Sequence, residues 1–300
     1  MRSDIPDPPL ELLDYISGVP DVARTRAVAD FYLKIFIETG KLSSRDRVLD
    51  VGCGVGRIAQ ALAGHLEPTA RYEGFDISRA AIDWCRENIT PRHPNFRFEH
   101  ADVYNEFYNP AGRSRARLHR FPYADSSFDF VFLTSVFTHM MPHDLRQYLA
   151  EISRVLAPGG RCVITFFLHN DATAEAIRAG RSAFQLPHRY GKPSRAVGSG
   201  PEYGDCLTES DVEVERVVAY EENWVKDQLA SCGLTPDSQH LVGHWSGRTG
   251  PGFQDIVAAT KTGPVSLRFR LSRGLRFDGL REHLWRARLR LNRLRAPAAR

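Results

Sequence analysis

The stretch Arg47-Val48-Leu49-Asp50-Val51-Gly52-Cys53-Gly54-Val55-Gly56 decides how the rest of the chain is read. A short apolar run ends in an acid, and three glycines follow at every second position. Ile58, Ala59, Ala61 and Leu62 then repeat at helical spacing. The pattern predicts a strand, a tight turn and a helix, with glycine where the backbone turns sharply and a ligand comes close. Free N–H groups at such a helix start can hold an anionic group. A dinucleotide fingerprint needs G-x-G-x-x-G. Counted from Gly52, its third glycine position holds Arg57, and no Gly-Lys-Ser or Gly-Lys-Thr follows to make a phosphate loop.

Working outward, two further strands end in acids. Tyr72-Glu73-Gly74-Phe75-Asp76 is followed by Ile77 and a helix capped by Ser78; Phe96 to Ala101 is followed by Asp102-Val103. Asp50, Asp76 and Asp102 are thus 26 residues apart each time, and in an open parallel sheet such strand ends share one crevice. A carboxylate at Asp76 can accept both hydroxyls of a ribose, with Ile77 beside the base. A fourth strand, Phe128 to Leu133, leads to Thr134, Ser135 and Val136-Phe137-Thr138-His139. A helix from Pro142, the turn Ala157-Pro158-Gly159-Gly160 and an apolar strand to Leu168 come next.

The D-x-G-x-G-x-G turn, the F-D-x-V strand and the L-x-P-G-G turn, in this order over about residues 45–168, resemble the class I S-adenosylmethionine-dependent methyltransferases. The resemblance implies a Rossmann-like, doubly wound seven-stranded α/β sheet closed by a C-terminal antiparallel hairpin. It implies S-adenosyl-L-methionine as cofactor, with the loop of Gly52, Cys53, Gly54 and Gly56 under its methionine part. By the same resemblance Asp50 sits near the amino group and Asp102 accepts from the adenine amino group. The Val103 N–H then meets a ring nitrogen, and Thr134 closes the set. Related catechol-type enzymes place a metal-binding acid where Thr134 stands, so no metal is expected.

Methyl transfer depends on positioning, and a hydroxyl nucleophile gains from a general base. His139 is the candidate base, since an imidazole titrates near neutral pH. A histidine that hydrogen-bonds the adjoining helix is the other reading of the same residue. His169, His188 and His244 are weaker candidates, and Trp245 and Arg248 are read as a stacking and hydrogen-bonding pair for a sugar-like acceptor. The absence of Asn-Pro-Pro-Tyr after the fourth strand argues against base or glutamine amines as acceptors, and no Pro-Cys nucleophile is present. The combination S-V-F-T-H-M with W-S-G-R and Q-D-I-V looks like enzymes of glycan and glycolipid assembly. The expected activity is O-methylation of a saccharide, glycolipid or related hydroxyl. The alternatives are a methyltransferase for a soluble secondary metabolite and a non-catalytic cofactor-binding module.

Domain organisation follows the same pattern. Residues 1–44 are a helical cap: an irregular Pro-rich start, then a helix from Asp21 to Gly40. Residues 45–262 are the catalytic unit, with 104–120 and 169–215 as candidate lids, and its last two strands are expected at Gln239–Trp245 and Phe253–Thr260. From Leu267 onward, eleven arginines face two acids, a net +9; the chain is +4, so residues 1–266 carry −5. An acidic body argues against nucleic acid. The tail reads as a basic amphipathic helix (Leu280, Leu284, Ala287, Leu291, Leu294) for an anionic membrane surface, or as a solvated or partner-bound helix. No secretory leader or run of about 18 apolar residues occurs, and five unpaired-looking cysteines suit reduced thiols. The expected location is cytoplasmic, peripheral at the inner membrane face.

Overall fold

The computed structural model describes residues 5–17, 20–190, 206–267 and 269. Helices α1 (Leu10–Ser17) and α2 (Val22–Glu38) precede β1 (Arg47–Val51). Asp21 starts α2 by accepting from the Arg24 N–H. There follow α3 (Arg57–Ala63), β2 (Arg71–Asp76), α4 (Arg79–Asn88) and β3 (Phe96–His100). Short strands β4 (Val103–Tyr104) and β5 (Ser114–Arg115) lead to β6 (Phe128–Leu133), α5 (Pro142–Val155) and β7 (Leu156–Phe166). An inserted unit holds β8 (Leu168–His169), α6 (Asp171–Arg178), β9 (His188–Tyr190), β10 (Cys206–Thr208) and β11 (Val218–Glu221). Helix α7 (Glu222–Ser231), β12 (Leu234–Pro236) and β13 (Asp255–Lys261) follow.

The main sheet has seven strands in the order β12-β13-β7-β6-β1-β2-β3. The four pairings that join β3, β2, β1, β6 and β7 are parallel, and β13 runs antiparallel to both β7 and β12, as the expected Rossmann-like class requires. Both faces are buried, and the side chains alternate between them. Phe130 and Phe132 join Val48, Tyr72 and Val163 under α2–α4, while Val131 and Leu133 join Leu49, Ile164 and α5 on the other face. The strand order reverses between β1 and β6. That switch point opens a crevice beyond the strands' C-terminal ends, where the Gly52 turn and the Thr134–His139 turn meet.

Four expectations need correction. The N-terminal stretch is not irregular: α1 forms because Leu13 buries against Val55 and Ala81. The Pro158-Gly159-Gly160 turn lies within β7, where the pairing with β6 slips between Phe128 and Phe130 and Gly159 takes φ 78°. The closing hairpin begins at β12, not at Gln239, because Gly233 at φ 70° turns α7 directly back into the sheet edge. Residues 239–245 contribute only bridges, Leu241 to Ile256 and Gly243 to Gly252. Among the described residues, the region after His169 contributes α6 and a second, four-stranded sheet, β8-β11-β10-β9, rather than only irregular chain, and residues 191–205 lie outside the described residues. Among the described residues no helix is long and apolar enough to cross a membrane. The tail helix expected at Leu280–Leu294 lies outside the described residues.

Candidate active site

The crevice is a cavity of about 770 Å³, within the range of sites that enclose a small molecule. Its donor end is lined by Asp50, Gly52, Cys53, Gly54, Asp76, Ile77, Val103 and Thr134, eight of the ten residues expected to hold the cofactor. Gly56 and Asp102 are not brought there. Gly56 starts α3 in the left-handed region, and a Cβ on it would sit 2.5 Å from Ile89 Cδ1, so this glycine serves packing. Asp102 is engaged by Arg113, whose Nε donates to Oδ2 at 2.5 Å and holds the carboxyl below its usual range.

The first acid is the most telling. Asp50 is buried, and its Oδ2 accepts from the Tyr72 hydroxyl at 2.7 Å, but its Oδ1 is buried without any partner. A buried polar atom left unpaired costs about 1–3 kcal/mol, so a ligand cation that meets it gains the difference. Burial, helped by the charge of Asp76, pushes the Asp50 carboxyl up to about 7. Asp76 accepts the Gly54 and Ser78 N–H groups, each at 2.8 Å, which ties the glycine turn to the end of β2. Burial still raises its pKa above the ordinary value. Gly52 stands at φ 81°, and a Cβ there would fall 2.4 Å from Val136 Cγ2. Only glycine lets the β1 turn and the β6 turn lie this close.

Sequence reading used Arg57 only to reject a dinucleotide. In the fold it lines the same cavity beside Asp50 and Tyr32, half-buried, and its guanidinium has no hydrogen bond among the described residues. One open carboxylate and one open guanidinium at the donor end match an α-amino acid moiety. Asp76 and Ile77 are left for a ribose and a base. The residues present therefore fit S-adenosylmethionine: Asp50 for the amino group, Arg57 for the carboxylate, and the Gly52–Gly54 turn beneath.

At the acceptor end Ser135 adopts φ 60°, a strained position for a side-chain-bearing residue, and its N–H donates to Thr165 Oγ1 at 2.8 Å. The 3₁₀ turn Phe137–His139 follows. His139 lines the cavity, half-buried, with its ring edge-to-face on Tyr108 at 5.2 Å. Its Nδ1 lies 3.2 Å from the Glu215 carbonyl oxygen. A carbonyl can only accept, so Nδ1 carries the proton and the Nε2 lone pair is the basic site. Burial lowers the imidazole pKa, so the ring stays neutral at neutral pH. The walls around it are aromatic, from Phe107, Tyr148, Phe167, Phe184 and Phe253, with Asn105 and Glu215 on the lid side. His169, His188 and His244 do not line it.

Trp245 and Arg248 also lie elsewhere. Trp245 is fully buried and donates through Nε1 to Asp255 Oδ2 at 2.6 Å, and Arg248 reaches Asp255 Oδ1 at 3.4 Å. The buried Asp255 carboxylate draws both inward, together with the Gly243 and Leu168 N–H groups. The pair builds the wall and is not open to an acceptor. A ring that can stack and a guanidinium that can donate suit a sugar, but the acid seven residues beyond Arg248 claims both.

Residues 49–164 match the family model described as a methyltransferase domain. The chain is 34% identical over 187 residues to phthiotriol/phenolphthiotriol dimycocerosates methyltransferase 1 of Mycobacterium ulcerans, which covers 61% of this chain and 59% of that one. It is 31% identical over 121 residues to an O-methyltransferase of Penicillium expansum, covering 40% and 37%. The chain thus spans less than two thirds of the length of these relatives. In fold it is similar to the Burkholderia thailandensis 1,6-didemethyltoxoflavin N1-methyltransferase (TM-score 0.50, 18% identity, 87% and 94% of the two chains). A Pyrococcus horikoshii protein is similar to the same degree (TM-score 0.50, 19% identity, 83% and 95%).

Proposed function

We propose, from the premise that residues 49–164 are a methyltransferase domain of the class I, S-adenosylmethionine-dependent family, that this chain O-methylates a hydroxyl acceptor. The observation that carries the reading is His139: a neutral imidazole with Nδ1 held by a carbonyl, at the switch point beside the donor turn. The cofactor supplies an electrophilic methyl group on a sulfonium. Asp50, Arg57 and the glycine turn bind and orient it, Asp76 and Ile77 take the nucleoside, and the aromatic walls exclude water. His139 Nε2 accepts the proton of the acceptor hydroxyl as that oxygen becomes a nucleophile. Alignment of this kind accounts for about 7–11 kcal/mol of a barrier, and a base for about 10²–10⁴-fold.

The acceptor we infer is a saccharide, glycolipid or related hydroxyl compound with an apolar body. Phe107, Phe167, Phe184 and Phe253 suit such a body, and one relative's name states O-methyl transfer. The same walls suit a planar soluble metabolite, which is the second reading. Contact of the basic C-terminal segment with an anionic membrane surface belongs to the first.

The test is radiolabelled methyl transfer into a fractionated lysate by the wild type and H139Q. Label in a lipid or polysaccharide pool, reduced about 10²-fold or more by H139Q with cofactor affinity kept, is expected. Equal labelling by H139Q removes the histidine from the mechanism. No transfer into any pool, with cofactor still bound, favours a non-catalytic binding module.

A further inference from the structure

Two insertions cross the acceptor end of the cavity, one after β3 and one between β7 and α7, and among the described residues they meet at Asn105 and Glu215. Asn105 and Glu215, 110 residues apart in sequence, are both buried, and Asn105 Nδ2 donates to Glu215 Oε2 at 3.2 Å. Asn105 Nδ2 also donates to the His139 carbonyl oxygen at 3.1 Å. Its Oδ1 accepts the Phe107 and Tyr108 N–H groups at 3.0 and 2.8 Å. Both amide hydrogens and both lone pairs of this side chain are thereby used. Glu215 Oε2 accepts the Glu106 N–H at 2.8 Å, and the Glu215 carbonyl oxygen receives His139 Nδ1.

The network encloses one residue. His139 is held at its backbone carbonyl by Asn105, at its ring by the Glu215 main chain, and on its ring face by Tyr108. The Glu215 carboxylate accepts from Asn105 Nδ2 and from the Glu106 N–H, both in the other insertion, which ties Glu215 to that position. A buried polar network with every member paired specifies one geometry, and a network that loses a member opens.

We propose that Asn105 and Glu215 are positioning residues: they latch the two insertions over the acceptor chamber and fix His139 as its Nδ1–H tautomer. The inference rests on the reading of His139 as the base, since the tautomer decides which nitrogen is left to accept a proton. It does not rest on the acceptor's identity. Neither residue type announces the role in sequence, because the partners come together only through the second sheet.

The test is ¹⁵N spectroscopy of the histidine side chains in the full-length protein, with the His139 signals assigned by their loss in H139Q. Wild type at pH 8 is expected to show protonated Nδ1 and unprotonated Nε2. N105D, which is isosteric, turns a donor into a carboxylate oxygen facing Glu215, and E215A removes the acceptor. Both are expected to shift the ring signals toward a mixed tautomer. N105D/E215Q returns an amide-to-carboxylate bond to the pair but no donor to the His139 carbonyl, and is expected to recover part of the Nδ1–H signal. A wild type with protonated Nε2, single variants that leave the Nδ1–H signal unchanged, or a double variant no better than N105D would overturn the proposal. If N105D or E215A does not fold, N105A decides: it removes the donor to Glu215 and to the His139 carbonyl, so an unchanged Nδ1–H signal there refutes the latch. Because this readout needs no acceptor, it fails separately from the H139Q labelling experiment.

Discussion

At the scale of one residue, Asp50 joins two opposite demands. The unfolded carboxyl ionises near 4, whereas in the fold burial delays ionisation to about 7. Between those values the folded state holds a proton that the unfolded state has lost, so the contribution of Asp50 to stability falls as pH rises through that window. Cofactor affinity moves the other way, because only the ionised carboxylate attracts an ammonium group. Without ligand, D50N is therefore expected to melt at or above the wild-type temperature at pH 8. In calorimetric titration the wild type is expected to bind S-adenosylhomocysteine more tightly at pH 8 than at pH 6, and D50N to bind weakly at both. A D50N protein that binds as well as wild type at pH 8 refutes the role. The three acids at 26-residue spacing were legible in the chain, and two of them do line the cavity. The turning of Asp102 to Arg113 was not legible, because that ion pair depends on how the loop after β3 folds back as β5.

Among elements, the wall built by residues 243–255 depends on a single acid. Asp255 accepts from Leu168 and Gly243 N–H and from Trp245 Nε1, all inside the protein, and in doing so joins β13, the 3₁₀ turn at His244–Ser246 and the start of the inserted sheet. D255N would turn one oxygen into a donor that faces two other donors, at a cost on the order of 3 kcal/mol. A lower urea midpoint with an unchanged slope is the expected result, and an unchanged midpoint refutes the network. The sequence periods sufficed for β1, β2, β3, β6 and β7 because those strands carry apolar runs and their helices are amphipathic, but not for the two-residue β4 and β5 inside the expected lid. They did not suffice for β8 to β12, whose strands have two to four residues and whose pairing is set by tertiary contacts. The same limit hid α1, which is held by Leu13 in its socket and not by its own propensity.

For the whole molecule, the contrast between an acidic body and a basic C-terminal segment bears on how the chain is truncated. The described residues as far as Phe269 pack on the body: Ser266 N–H donates to the Ser231 carbonyl, and Phe269 is buried with the Arg146 guanidinium 4.6 Å from its ring centre. A chain ending at residue 270 keeps these contacts and removes nine of the eleven tail arginines. It is expected to float poorly with anionic vesicles at low salt, where the full-length chain floats well, and flotation equal to full length refutes membrane contact. One contact described at residue level also reaches across the molecule. Gly52, without a side chain, lets Val136 rest on the turn beneath the cofactor, three residues before the imidazole. The donor turn and the acceptor turn therefore share one packing contact, across which the two ligands can sense one another. Whatever factor the donor adds to the affinity for the acceptor, the acceptor must return unchanged to the donor.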